Sequence, residues 1–157
     1  MTDDSVSATT IIGAPAEVIF AVLADPAAHA AIDGTGWVRE PLDNGTLTAT
    51  GQIFRMAMYH PNHPDGDYQM ANRVETFHRP STIAWEPGNE AGDGTLSFPG
   101  WKWRYDLTPA APTSTAVTLT YDWSAVPDPI REHIGFPPFP PDHLEHSLDH
   151  LAALIAS

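Results

Sequence analysis

Three polar residues fall in or beside the strands of a predicted covered sheet face, and they are the first candidates for chemistry. Asn72 alternates in phase with apolar residues, His60 ends the preceding strand pattern, and Tyr121 lies on the apolar side of a later one. Such groups could orient a carbonyl or hydroxyl of a ligand or transfer a proton. A structural interpretation stays open for each: Asn72 bonding a loop, Tyr121 capping the core, His60 exposed at a strand end.

A His-Pro-Asn-His sequence at residues 60–63, followed by Asp65 and Asp67, offers nitrogen and oxygen ligands at a spacing that suits a metal. The segment is a proline-rich loop, however, and it lacks a second anchored pair of ligands. We therefore predict no metal site in this loop.

The last helix carries His143, His146 and His150, which at first suggest a metal-binding face. At about 100° per residue, His146 points away from the other two. We predict a solvated acidic helix with interspersed histidines, and neither a metal nor a cofactor for the chain.

Aromatic and methionine side chains dominate the predicted covered face. Flat rings and pliable thioethers suit a planar or apolar ligand, although the same residues could simply fill a core. The predicted ligand-binding residues are Phe54, Met56, Met58, Asn72, Val74, Trp85, Trp103, Tyr105, Tyr121, Trp123, Leu144 and Leu148.

The arginine side chains of the strands are predicted to lie away from the covered face. Strand phase places Arg55, Arg73 and Arg104 on the opposite, solvated face, so we assign them no catalytic role. A site that stabilises an enolate is expected to hold a cation, and no Arg or Lys is predicted on the covered face.

The elements that must position these side chains follow from periodicity. Apolar spacing of three and four residues predicts a first helix over 15–24, and Asp25-Pro26 begins a second, short one. Asp142 caps a long helix to about residue 156, with a leucine stripe on one side. Alternation predicts strands over 6–12, 37–40, 46–50, 52–60, 68–78, 82–86, 101–107 and 116–123.

Two turns join neighbouring strands in this prediction. Asp43-Asn44-Gly45 is a strong hairpin signal between 37–40 and 46–50, and Arg79-Pro80-Ser81 turns between 68–78 and 82–86. A loop is expected over 87–94. The order of elements predicts an α+β fold, in which helices cover one side of an antiparallel sheet.

Composition limits the partners. The chain has 157 residues, a net charge of −13 and no cysteine. We expect one domain over 1–157 with residues 1–5 as a flexible tail. The acidic charge disfavours nucleic acid and anionic lipid as partners, and no apolar run is long enough for membrane insertion.

The opening residues lack the pattern of a signal peptide, so we expect a soluble cytoplasmic protein. Oligomeric state is not predicted.

The proline-rich segment 127–141 carries several apolar residues. Its proline density prevents one continuous helix, so a short helix followed by a packed loop is predicted. Phe136 and Phe139 would then either form a lid over a cavity or seal the edge of the core.

Phrases spread along nearly the whole chain resemble the START/Bet v1-like (SRPBCC) superfamily, and more narrowly its bacterial polyketide cyclase/dehydrase-like branch. They are 14–20 (APAEVIF), 25–29 (DPAAH), 32–36 (IDGTG), 51–56 (GQIFRM), 72–77 (NRVETF), 83–87 (IAWEP), 103–107 (WRYDL) and 119–124 (LTYDWS).

This resemblance implies a helix-grip fold, a curved antiparallel sheet of about seven strands wrapped around a long C-terminal helix, with two short helices after the first strand. It also implies a cavity that accepts lipids, sterols, aromatic polyketides or plant-hormone-like molecules. We therefore predict binding of a hydrophobic small molecule. One alternative is a polyketide cyclase/dehydratase that uses His60, Asn72 or Tyr121 as weak catalytic candidates. Another is a protein-interaction module like the Hsp90 activators, which share the fold.

Overall fold

Alternating apolar and polar residues form a curved antiparallel sheet. The computed structural model describes residues 4–33, 38–42, 46–59, 67–133 and 142–156. The strands are β1 Ser5–Ile12, β2 Val38–Pro41, β3 Ile53–Tyr59, β4 Asp67–His78, β5 Thr82–Glu90, β6 Leu96–Ser97, β7 Lys102–Ala111 and β8 Ser114–Asp122. Seven of them pair in the order β1-β8-β7-β5-β4-β3-β2, and the short β6 adds to β5.

The pair β7–β8 shows how sequence alternation becomes a covered face. Tyr105 lies opposite Leu119 and Leu107 opposite Val117, and all four side chains are buried. The pair between them, Asp106 opposite Thr118, faces outward. The predicted phase of these two strands is therefore confirmed.

The helices α1 Ala16–Leu23, α2 His29–Asp33 and α4 His143–Ala156 cover the inner face. A 3₁₀ turn, Pro26–Ala28, precedes α2, and a further short helix, α3, spans Asp128–His133. As predicted, Asp25 caps this turn: its carboxylate accepts a hydrogen bond from the Ala27 amide at 3.0 Å. The predicted leucine stripe of α4 is buried against the sheet and the first helices. The α+β helix-grip architecture is thus confirmed.

The sheet edge formed by β2 differs from the predicted hairpin. β2 pairs with β3, with Val38 opposite Met58, and residues 46–50 form no strand. Leu47 is instead buried in the core, and its amide donates a hydrogen bond to the Ala24 carbonyl at 2.7 Å. Burial of this leucine against the first helices takes its segment away from the sheet. The predicted turn residues 43–45 lie outside the described residues.

The strand β5 continues to Glu90, beyond the point where a loop was expected, because its last two residues pair with β6. Gly88 permits this arrangement. A Cβ at this position would lie 2.5 Å from Cδ1 of Phe98, whose ring lies close over the strand. A glycine here lets the β5 backbone pass beneath an aromatic ring.

The first strand also begins earlier than expected. Ser5 pairs with Asp122, and the Asp4 carbonyl accepts a hydrogen bond from the Trp123 amide at 2.8 Å. Residues 4 and 5 therefore belong to the sheet edge, which corrects the prediction of a flexible tail over 1–5 at these two positions.

Candidate functional site

A cavity of about 370 Å³ lies between the covered face of the sheet and the helices α2 and α4. A well-packed interior leaves few voids larger than a water molecule, whose share of liquid volume is about 30 Å³. The rings and methionines on this face therefore do not fill the space between sheet and helices.

Eight of the twelve predicted ligand-binding residues line this cavity. They come from five adjacent strands, β3, β4, β5, β7 and β8. These eight are Phe54, Met56, Met58, Asn72, Trp85, Trp103, Tyr105 and Tyr121. The period-two alternation of strands accounts for their common direction.

The other four lie elsewhere, which corrects their predicted placement. Val74, Leu144 and Leu148 are buried in the filled core, since the leucine stripe of α4 packs against other core residues and not against the void. Trp123 follows the end of β8 and packs with Tyr121 and Val126 in a second, smaller cluster.

The aromatic walls support one another. Trp85 is the centre: the ring of Phe54 meets it edge-on at 5.8 Å, and the ring of Tyr105 lies 6.0 Å away. Further along, Trp103 and Tyr121 are 4.6 Å apart. Contacts of this kind hold rings in place around a void that they do not occupy.

His29, the first residue of α2, lies against this wall. Its ring stacks on Trp85 at 4.9 Å with an interplanar angle of 14°, and Phe54 meets it edge-on. Its Nε2 lies 2.9 Å from the Leu23 carbonyl oxygen. Burial lowers the pKa of His29, against the opposing effects of the Leu23 hydrogen bond and Asp25. The imidazole is therefore kept neutral.

Asp33 and His143 bring a carboxylate and a second imidazole to the lining. Nε2 of His143 lies 3.7 Å from Oδ1 of Asp33, and both side chains are largely buried. Burial lowers the pKa of His143, with Asp33 opposing the shift. Burial and, secondly, Asp33 raise the pKa of both Tyr68 and Tyr105, so these phenols stay protonated as hydrogen-bond donors.

The predicted polar candidates are divided by the structure. Asn72 and Tyr121 line the cavity, as placed by strand phase. Nδ2 of Asn72 donates a hydrogen bond to the Phe54 carbonyl at 3.4 Å, and burial raises the pKa of Tyr121. His60 lies outside the described residues.

Sequence reasoning missed His29, Asp33 and His143. The signal for the first two was their spacing of four residues, which places both on one side of a helix. His146 is exposed, as predicted, but the prediction of a solvated helix is wrong for His143, which is buried. Ser147, one turn along from His143, also lines the cavity.

The arginines of the sheet are ion-paired on its outer face. Arg55 meets Glu90, Arg73 meets Glu86 and Arg104 meets Asp106, each at 2.9 Å. The Arg55 hydrogen bonds lower the pKa of Glu90. Among the lining residues that the structure describes there is no Arg or Lys, so the cavity offers neutral donors, imidazoles and one carboxylate.

Several predictions concern residues outside the described ranges: the possible metal ligands His60, His63 and Asp65, and the lid residues Phe136 and Phe139. Within the described ranges no group of three His, Cys, Asp or Glu side chains could hold a metal ion. No helix in those same ranges is both long and apolar enough to cross a membrane.

Comparisons with known proteins find no matching family model. The chain is 31% identical over 121 residues to uncharacterized protein Rv0088 of Mycobacterium tuberculosis, which is 76% of this chain and 48% of that protein. The chain thus spans about half the length of the curated relatives it matches.

Two solved structures show the architecture. A START superfamily protein from Mycobacterium smegmatis superposes with a TM-score of 0.63 at 17% identity, covering 97% of each chain. Ginseng major latex-like protein 151 from Panax ginseng superposes with a TM-score of 0.61 at 11% identity, covering 98% of this chain and 97% of its own. At such identities the likeness concerns the fold alone.

Proposed function

We propose that this chain, which has the START/Bet v1-like helix-grip fold, binds an apolar, ring-containing small molecule in the cavity between sheet and helices. The observation that carries the proposal is the void of about 370 Å³ walled by mutually braced aromatic rings. Flat walls pair with flat ligand faces, and methionines such as Met56 and Met58 adapt to the remaining outline.

The size of the cavity supports a compact ligand. Small-molecule sites commonly span about 300–1,000 Å³, so this one lies at the lower end. A rigid ring system also loses less conformational entropy on binding than a long acyl chain does. We therefore favour compact ring compounds, such as sterol-like or aromatic molecules, over extended lipids.

Filling the cavity from α4 tests the proposal. Ser147 is 4% exposed and lines the void, so Ser147→Leu should place an isobutyl group where the ligand lies. We expect the Kd for the neutral fluorescent probe N-phenyl-1-naphthylamine to rise at least about tenfold, which corresponds to about 1.4 kcal/mol. Fluorescence titration of the purified protein measures it.

Glu145→Leu is the matched control, because Glu145 lies on the exposed side of the same helix. It should leave the Kd unchanged. A wild-type protein without saturable binding would contradict the proposal, as would a Ser147→Leu variant that binds with wild-type affinity.

A polyketide cyclase/dehydratase is the second candidate, and one observation favours it. Asp33 and His143 lie 3.7 Å apart in the cavity, close to the protonated phenols of Tyr68 and Tyr105. A neutral imidazole beside a carboxylate can accept a proton from a carbon acid, and a phenol can donate one to a carbonyl. Mass spectrometry of a recovered poly-β-ketone probe separates the candidates. An enzyme joins a methylene of the probe to a carbonyl carbon further along its chain and then releases water, whereas a carrier returns the probe unchanged.

The interaction-module alternative lacks such support in the described residues. Their outer sheet face carries ion pairs and threonines, such as Thr9 bonded to Thr118. The large apolar side chains exposed among these residues are scattered: Ile11, Val18 and Leu42. Isolated apolar residues of this kind are normal on any surface.

A further inference from the structure

We propose that the ligand is an uncharged ring compound that carries a hydrogen-bond donor such as a hydroxyl, and that Nδ1 of His29 accepts this hydrogen bond. The inference rests on the proposed binding function and names the chemistry of its ligand. It follows from three features of the site: the tautomer of His29, the fixing of its ring, and the charge of the lining.

The backbone determines the tautomer of His29. Its Nε2 lies 2.9 Å from the Leu23 carbonyl oxygen, which can only accept a hydrogen bond. Nε2 therefore carries the hydrogen. Because burial lowers the pKa of the imidazole, the ring is neutral and Nδ1 holds a lone pair. In the described part of the chain, no donor reaches Nδ1.

Packing fixes the direction of that lone pair. The ring stacks on Trp85 at 4.9 Å and meets Phe54 edge-on at 5.7 Å. A flip of the ring would break the hydrogen bond to Leu23. The side chain is 8% exposed and lines the cavity, so the bulk solvent reaches Nδ1 poorly. No fully enclosed side-chain nitrogen or oxygen of the described residues lacks a hydrogen-bond partner, so Nδ1 is open to the cavity, where a donor on the ligand can reach it.

The wall beside His29 also contains a hydroxyl donor. Tyr105 lies 6.0 Å from Trp85, and among the described residues its phenol has no hydrogen-bond partner. The void is thus apolar on its flat faces and polar at a few places, as sites that select one orientation of a ligand are. A hydroxyl group is the simplest ligand group that can both donate and accept.

The charge of the lining excludes anions. Asp33 contributes a carboxylate, the described lining has no Arg or Lys, and the whole chain has a net charge of −13. A carboxylate or sulfonate on the ligand would be buried beside a like charge and without a counter-ion. Fatty acids and other organic acids are therefore poor ligands in this proposal.

A matched set of naphthalenes tests the inference by isothermal titration calorimetry. 2-Naphthol has the donor, 2-methoxynaphthalene keeps the oxygen without it, naphthalene has neither, and 2-naphthoate adds a negative charge. We expect 2-naphthol to bind at least about tenfold more tightly than 2-methoxynaphthalene, since a buried acceptor left unpaired disfavours the analogue. We expect 2-naphthoate to bind at least about tenfold more weakly than naphthalene.

Substitution of His29 should abolish the preference. His29→Phe keeps an aromatic ring against Trp85 but removes the acceptor, so 2-naphthol and 2-methoxynaphthalene should bind within about twofold of each other. His29→Leu, which likewise has no acceptor, should do the same and covers the case in which the Phe variant fails to fold. His146→Phe, at an exposed position of α4, is the control and should keep the preference.

The outcomes separate the two proposals. If no member of the set binds, the binding function itself fails, and this inference with it. If naphthalene binds but 2-naphthol has no advantage, or if the His29 variants keep the advantage, only the inference is overturned. Tighter binding of 2-naphthoate or of a naphthylmethylammonium ion than of 2-naphthol would also overturn it, because the site would then select a charge.

Discussion

At the scale of single residues, the buried histidines link the cavity to pH. His29 and His143 both have pKa values lowered by burial, from 6.5 in an unfolded chain. Below pH 6.5 the unfolded chain binds protons that the folded chain does not. Above pH 6.5 these two histidines therefore do not destabilise the folded state. As the pH falls from 6.5 to the lowered pKa values, the free energy of unfolding decreases.

We accordingly predict that His29→Gln weakens the dependence of stability on pH. The loss from this residue is about 1.4 kcal/mol for each unit by which its pKa is lowered. Urea unfolding from about pH 7.5 to about pH 5.5 should give a flatter free energy of unfolding for the variant than for the wild type.

The exposed His146 provides the comparison for this measurement. His146→Gln should keep the wild-type slope. A His29→Gln variant with the same slope as the wild type would mean that His29 is not the buried, neutral group described.

Sequence predicted the strand residues of the site better than the helical ones. Phe54, Trp85 and Tyr105 were placed correctly because the backbone of a strand alternates its side chains whatever surrounds it. His29 belongs to a helix of five residues, which is too short to show an apolar face of its own. His143 looked solvated because its burial comes from Asp33 and Trp103, which are far away in the sequence.

At the scale of elements, neighbouring residues of α4 have different roles, one in the stability of the core and the other in lining the cavity. Its side chain Leu148 is 1% exposed and lies in the filled core, whereas Ser147 beside it lines the cavity. We predict that Leu148→Ala lowers the free energy of unfolding by about 2–5 kcal/mol, because it removes packing and leaves a void. Its Kd for N-phenyl-1-naphthylamine should stay near the wild-type value in fluorescence titration.

The control for this variant is Leu42→Ala, since Leu42 is 42% exposed. It should change the free energy of unfolding by less than about 0.5 kcal/mol. A large loss of probe affinity in a folded Leu148→Ala protein would restore Leu148 to the binding residues, where the sequence had placed it.

A turn that depends on its own residues was predicted, whereas a strand pairing that depends on residues distant in the sequence was not. The turn at Arg79-Pro80-Ser81 joins β4 and β5, which are neighbours in both sequence and sheet. The predicted partner of β2 was wrong. The turn signal nearest to β2 lies between residues 41 and 46 and indicated pairing with the segment 46–50, but β2 pairs with β3. A turn motif reports on its own residues, and strand pairing depends on which segment competes for the edge.

At the scale of the whole molecule, the net charge of −13 should make stability depend on salt. Like charges on a compact surface repel each other, and this repulsion falls as the Debye length shortens from about 30 Å at 0.01 M to about 8 Å at 0.15 M salt. The outer-face ion pairs lose strength too, but partly exposed pairs contribute little.

We therefore predict that the urea midpoint rises when NaCl is increased over this range, as measured by circular dichroism. KCl at equal ionic strength should have the same effect. A midpoint that falls would show that the ion pairs of Arg55, Arg73 and Arg104 outweigh the general repulsion.

The pairing of β1 with β8 has a consequence for how the protein is made. Thr9 and Thr118 bond across these strands although they are 109 positions apart. A ribosome adds about 5–20 residues per second, so β1 leaves it roughly 5 to 20 seconds before its neighbour exists. During translation the first strand can pair with nothing native, and the nascent chain must be kept from pairing with others until its last strand emerges.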